Sequence, residues 1–232
     1  MLPIMMMKTV AGFGGLIVAV GLASVALSAQ APAARPMSPD GSAQTQVLGR
    51  WVKPASPAFT LGRQDYVDGK WIEITFGRPL QRGRDLFGSG PNYGKAANDV
   101  GTANFPAPPV WRAGSNVSTQ LKTEATLVFG DKTVPAGEYT MFIDLKNAQE
   151  WTLIISRWPA QKKFDAKDKT SLWGAYGYTP DKDVARIPMK VDALPFAVDQ
   201  LTWSFVDMTP EGGRMVLMWG KTIASATFRA RP

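Results

Sequence analysis

Apolar and polar positions alternate with a period of two over much of the chain from residue 71 onward. In WIEITF, Ile72, Ile74 and Phe76 fall on one side and Glu73 and Thr75 on the other. The same spacing sets Ala125, Leu127 and Phe129 in register, then Tyr139, Met141, Ile143 and Leu145, then Trp151, Leu153 and Ile155. It returns in Ile187, Met189 and Val191, in Leu201, Trp203 and Phe205, and in Met215, Leu217 and Trp219. Successive side chains of a strand point to opposite faces, so period two marks strands with one buried face. Turn chemistry separates the runs at Gly130-Asp131, Pro135-Ala136-Gly137, Lys146-Asn147 and Thr209 to Gly213. No stretch carries a sustained helical stripe. Asp165 to Lys169 is charged and reads as a helical turn or a loop. The pattern predicts an all-β fold: an antiparallel β-sandwich of the jelly-roll or immunoglobulin-like kind, one domain over 47–232.

One region breaks the alternation. Residues 77–109 are dense in Gly, Pro, Asn and Arg and predict a long Gly/Arg/Pro-rich loop. Long loops inside compact domains are usually functional or disordered. This one and its exit gather the candidate ligand-binding residues Arg78, Arg82, Arg84, Tyr93, Trp111, Arg112 and Asn116. Guanidinium groups match carboxylate and phosphate oxygens and stack on aromatic faces. Tyr and Asn add hydrogen-bonding groups. The competing reading has the arginines tying the loop down through backbone carbonyls and carboxylates. Trp173 and Tyr176, in LWGAYGYTP, are secondary aromatic candidates: exposed, they would stack on sugar rings, and buried they would be packing.

The N-terminus changes the picture of where the domain works. Lys8 precedes an uncharged apolar run from Val10 to Ala29, followed by small residues, in the order of a secretory signal peptide. Residues 1–30 are therefore expected to be a signal peptide and the Ala/Pro/Ser-rich stretch 31–46 a flexible leader, giving an exported, periplasmic or secreted protein with no stable membrane span after cleavage. Cleavage removes one of 26 basic residues and none of 19 acidic ones, so the formal charge falls from +7 to +6. The excess is dispersed and predicts no nucleic-acid partner.

Composition narrows the chemistry. The 232 residues hold no Cys and no His. That excludes Cys nucleophiles, His general bases and zinc sites of the N/S type. Asp181 and Asp183 do not make a full Ca²⁺ ligand set, so no metal is predicted. GSGPNYG lacks the Gly-Lys-Ser/Thr ending of a phosphate-binding loop, and no cofactor is predicted. A His-free enzyme would draw on Glu73, Glu124, Asp85, Asp99 or Tyr93, which the sequence does not pair. No catalytic residue is assigned.

Several phrases, taken in order, resemble an exported bacterial family catalogued as domain of unknown function 2911. They are Gly77-Arg78-Pro79, Arg82-Gly83-Arg84, Phe87-Gly88, Tyr93-Gly94-Lys95 and Val110 to Asn116. Val134 to Tyr139, Glu150-Trp151-Thr152, Trp173 to Tyr176, Leu201-Thr202 and Lys221-Thr222 continue the match. The resemblance implies a signal peptide and an all-β domain, and it brings no assigned activity. Two departures stand out. Ala96 to Pro109 intervenes where the family tends to run directly into Trp-Arg, and Val117 stands where it tends to place an acid. The leading expectation is a non-enzymatic exported module that binds a small polar or anionic molecule, or an envelope glycan. The alternatives are a carboxylate-dependent hydrolase acting on glycans and a structural or assembly protein.

Overall fold

Strand-forming residues dominate the computed structural model, which describes residues 38–53, 64–95, 97–98 and 106–232. The expected signal peptide and residues 31–37 of the expected leader lie outside the described residues. The described part belongs to one unit, Arg35–Pro232. Its strands are β1 (Asp40–Val47), β2 (Arg50–Val52), β3 (Asp65–Val67), β4 (Lys70–Gly77), β5 (Thr119–Thr123), β6 (Thr126–Phe129), β7 (Lys132–Val134), β8 (Gly137–Leu145), β9 (Trp151–Ser156), β10 (Asp183–Thr209) and β11 (Gly212–Arg231).

Nine of these form one antiparallel sheet in the order β1-β4-β5-β8-β9-β10-β11-β6-β7, and β2 and β3 form a separate hairpin. The sheet is sandwich-like because β10 changes partners along its length. Asp183–Met189 pairs with β9, whereas from Lys190 to Thr209 the strand pairs with β11. The partner changes between Met189 and Lys190, and register shifts between Ala193 and Thr202 then bend the strand along β11. RIPMKV and LTWSFVD, which the alternation predicts as separate strands, are the two ends of this one bent strand. A bend of this kind interrupts the alternation without ending the strand.

Most inward positions are those the alternation picks out; Leu121 on β5 and Phe228 on β11 add to them, and Val191 and Phe205 are only partly buried. Ile72, Ile74, Leu121, Met141, Ile143 and Leu153 from one layer pack with Leu127, Leu201, Trp203, Met215, Leu217 and Phe228 from the other, in one buried cluster. Burying a side chain of this size stabilises a fold by about 1.5–3 kcal/mol. The Asp40–Val47 stretch is a strand rather than leader. It pairs residue for residue with β4, from Asp40 opposite Gly77 to Val47 opposite Lys70. Its inward positions Ala43 and Thr45 are small or polar, so the strand carries little apolar signal. Beyond β4 the chain runs on to make an isolated bridge, Leu80 opposite Gln200, in the bend of β10. Gln81 N–H donates to Asp199 O at 2.6 Å and Leu201 N–H to Pro79 O at 3.0 Å. These bonds join the β4 side of the sheet to β10. Among the described residues no helix is long and apolar enough to cross a membrane.

Candidate functional site

The Arg/Gly loop leaving β4 is held by its own cations. Arg78 donates from Nε to Leu201 O and from Nη2 to Thr202 Oγ1, each at 3.3 Å. Arg84 donates to the carbonyls of Leu80 and Gln81 and lies over the Trp219 ring, 5.8 Å from its centroid. Arg82 is exposed, its N–H donating to Asp199 Oδ1 and its Nε 3.5 Å from Oδ2 of the same carboxylate. Between these arginines and Tyr93, the loop drives Phe87 inward. Phe87 meets Trp111, Trp151 and Trp219 edge-on, with ring centroids 4.8–6.2 Å apart, and stacks on Tyr93 at 6.1 Å. The Trp151 indole donates to the Tyr93 hydroxyl at 2.9 Å. Burial raises the Tyr93 pKa. A neutral phenol in this setting is a packing and hydrogen-bonding group.

Val110-Trp111-Arg112 runs beside β8 as one further rung. Trp111 and Ile143 exchange both backbone hydrogen bonds at 2.8 Å. Alternation then sends Trp111 into the main core, stacked on Trp219 at 5.9 Å, and Val110 into a second cluster on the outer face. Arg112 is only 7% exposed. Its guanidinium donates to Asn116 O and stands over the Tyr176 ring at 5.8 Å. Gly174 makes this approach possible. Its φ is +64°, and a Cβ there would collide with the guanidinium. Asn116, at φ 61°, is exposed and donates from Nδ2 to Ser38 O at 3.4 Å. The turn is fastened to the same segment as Arg112, since buried Ser118 donates to Leu172 O at 3.1 Å and Gly174 O at 2.6 Å.

That segment belongs to the excursion 157–182 between β9 and β10. It covers the outer face of β8 and β9, where Phe142 and Ile154 pack with Leu172, Ala175 and Tyr178. Gln161, 6% exposed, organises it from within: its amide donates to the carbonyls of Asp165, Asp168 and Ser171 and accepts from Asp165 N–H. Asp168 accepts from the Ser171 and Thr170 hydroxyls and from both backbone N–H groups. These bonds, that of Ser171 first, lower its pKa to about 2. A cleft of about 200 Å³ opens here, lined by Gln161, Asp168, Lys169, Ser171, Trp173 and Tyr176 among others. Trp173 is half-buried and meets exposed Phe164 edge-on at 6.0 Å.

The structure thus brings two of the sequence-derived candidates, Trp173 and Tyr176, to one cleft, with Arg112 against the far partner of that pair. Arg78, Arg82, Arg84, Tyr93 and Trp111 gather instead around the loop and the Phe87 cluster. Gln161, Asp168, Lys169 and Ser171 were not singled out from the sequence. The run Asp168-Lys169-Thr170-Ser171 carries the one available signal, since Asp, Thr and Ser in such spacing favour local side-chain-to-backbone bonds. Val117 lines a different trough of about 580 Å³ with Asp40, Ser42, Glu73, Thr75 and Gln120.

Three of the carboxylates considered for catalysis accept hydrogen bonds within the fold. Glu73 accepts from Gln44, Glu124 from Trp71 N–H and Asp85 from Gly88 N–H, while Asp99 lies outside the described residues. Among the described residues no three carboxylate, His or Cys side chains converge as a metal site. Asp144 and Asp183 share the guanidinium of Arg186, at 3.0 and 2.9 Å, and Tyr178 donates to Asp183 at 2.8 Å. Burial and that carboxylate raise the Tyr178 pKa strongly.

The family model described as "Protein of unknown function (DUF2911)" matches residues 56–228, three-quarters of the chain. The chain belongs to the DUF2911 family. No curated protein and no solved structure matches it. In this DUF2911 protein the phrases that carry the resemblance meet in space. Gly77-Arg78 lies against Leu201-Thr202, a Cβ on Gly77 would collide with the Ser115 carbonyl, and Arg112 of the Trp111–Asn116 turn packs against Gly174 and Tyr176.

Proposed function

We propose that this DUF2911 domain is an exported, non-enzymatic binding module that takes a small polar ligand, such as one ring of an envelope glycan, in the cleft of the 157–182 excursion. The observation that carries this reading is the joint placement of Trp173 and Tyr176 on a cleft that also offers Asp168, Lys169 and Gln161. At about 200 Å³ it falls below the roughly 300–1,000 Å³ of pockets for larger organic ligands and suits a single ring. Aromatic faces pack against the C–H faces of a sugar, while a few fixed polar groups select its hydroxyls. Export is supported by the N-terminal charge and apolar pattern.

Hydrolysis fits this site less well. Glycosidases need two carboxyl groups at a fixed separation, one of them protonated as the acid. The residues lining the cleft include one carboxyl group, Asp168, and its pKa of about 2 keeps it ionised at neutral pH. Calorimetric titration with neutral and acidic oligosaccharides tests the proposal. Trp173→Ala should weaken binding by about 1–3 kcal/mol, roughly 5- to 150-fold, while the fold survives. Wild-type protein that binds no saccharide, or a folded Trp173→Ala protein that binds as tightly as wild type, would rule it out.

A second reading, assembly through an apolar surface, draws on one observation. Trp51 is 62% exposed and borders a groove of about 350 Å³ with Tyr66, Met208 and Pro210. Light scattering of wild type and Trp51→Ser decides between them: a wild-type oligomer that the substitution dissolves supports assembly, and a monomer throughout removes it.

A further inference from the structure

The excursion carries more than its cleft. Within Gln161–Ser171 four lysines, Lys162, Lys163, Lys167 and Lys169, are exposed, against two carboxylates, Asp165 and Asp168. Both carboxylates are turned onto their own loop. Asp165 Oδ1 accepts from Lys167 N–H at 2.8 Å, and Asp168 is held by Thr170 and Ser171. Lys162, Lys163 and Lys167 make no ion pair within 4 Å among the described residues. Glu138, which feels the charge of Lys162, is itself paired with Lys122 at 2.8 Å. Lys169 lines the cleft and donates from Nζ to Ala166 O at 2.9 Å. The hydrophobic contribution is local as well: Phe164 is 48% exposed and meets the cleft's Trp173 edge-on at 6.0 Å.

Solvated ammonium groups on flexible stems, with no internal partner, are suited to a partner whose charges are spaced along a chain rather than fixed in one fork. A polymer that places one ring in the cleft would set its neighbouring rings across Phe164 and the lysines. A neutral glycan would leave this charge unused. From this charge and aromatic arrangement we infer that the ligand is an anionic polysaccharide: one ring sits between Trp173 and Tyr176, and Lys162, Lys163 and Lys167 contact carboxylate or sulfate groups on the rings beside it. The inference rests on the cleft being the binding site and adds the class of ligand and the direction in which it leaves.

Dextran, dextran sulfate and polygalacturonate test it, with phosphatidylglycerol vesicles as the rival anionic surface. Wild type, Trp173→Ala and the triple variant Lys162→Ala/Lys163→Ala/Lys167→Ala are compared by affinity electrophoresis and titration calorimetry. All three lysines are exposed surface residues, so the triple variant should keep its fold, checked by circular dichroism. The expected result is binding to both acidic polymers but not to dextran, weakened by added salt. The triple variant should lose on the order of tenfold in affinity, and Trp173→Ala should lose binding as well. Dextran binding that Trp173→Ala abolishes and the triple variant retains would overturn this inference and leave the cleft reading standing. Acidic-polymer binding that depends on the lysines but not on Trp173 would overturn both. Lysine-dependent binding to vesicles without binding to either acidic polymer would overturn it in favour of a membrane surface, and the absence of binding to every probe would overturn it outright.

Discussion

Arg112 shows at the scale of one residue how burial decides between two readings of the same sequence. A cation beside a tryptophan suggests a ligand contact, yet alternation along Val110-Trp111-Arg112 sends the two side chains to opposite faces of the sheet. Arg112 ends 7% exposed, bonded to Asn116 O and set over Tyr176. A hydrogen bond from a charged donor contributes about 1.5–3 kcal/mol, and a desolvated cation–π contact adds about 2. Arg112→Met should therefore lower stability by about 2–4 kcal/mol, read as a shift in the urea midpoint at unchanged slope. Arg112→Lys should recover little of that loss, because a point charge lacks the planar fork. Asp168 permits a test at the same scale. Its carboxyl titrates below the ordinary value of 3.8, at about 2, chiefly through the Ser171 hydroxyl. A depressed acid stabilises the fold above its unfolded pKa, and that contribution is lost as pH falls from 3.8 towards 2. Carbon-detected NMR should place the Asp168 midpoint near 2, and Ser171→Ala should move it upward.

At the scale of elements, the Gly/Arg loop after β4 behaves as a plug. Its arginines fasten it to carbonyls at either side, and Phe87 carries it into the core against three tryptophans. Phe87→Ala would leave a cavity among rigid rings that cannot collapse to fill it. Such a change costs about 3–5 kcal/mol, with loss of the near-ultraviolet dichroism of the packed indoles. The sequence displayed the loop's composition and its unusual length, but Phe87 there is one aromatic between Leu86 and Gly88 with no periodicity to place it. Only the fold shows that Trp111, Trp151 and Trp219 converge on that position. The strands that were legible through strict alternation are those with one buried face and one that reaches water, such as β4 and β6. The bend in β10 leaves no local mark beyond a lapse in alternation, and the partner change at Met189–Lys190 leaves none at all, because the alternation runs through it. The cleft was half legible for a related reason. Trp173 and Tyr176 stand out by residue type, whereas Gln161 and Asp168 acquire their roles from bonds within a folded loop.

For the whole molecule, the decisive element is the one least visible in the sequence. β1 stands at the end of the nine-stranded order, pairs with β4 at eight positions and seats Val47, fully buried, in the main core. Its end is also joined to the far layer, where Leu48 N–H donates to Pro210 O at 2.6 Å, and Arg78 N–H donating to Pro39 O at 2.9 Å extends the β1–β4 ladder by one step. Removing β1 would uncover the β4 edge with its apolar neighbours Ile72, Ile74 and Phe76 behind it. An unpaired edge of that kind is a template for pairing with another chain. A truncated chain beginning at Ser38 should therefore melt as a single cooperative unit, and one beginning at Leu48 should aggregate or unfold at a markedly lower temperature. Calorimetry and light scattering on the two truncations compare them directly. Equal melting temperatures and equal solubility would mean that β1 contributes nothing to the sandwich, and that the domain begins where the alternation of the sequence first becomes strong.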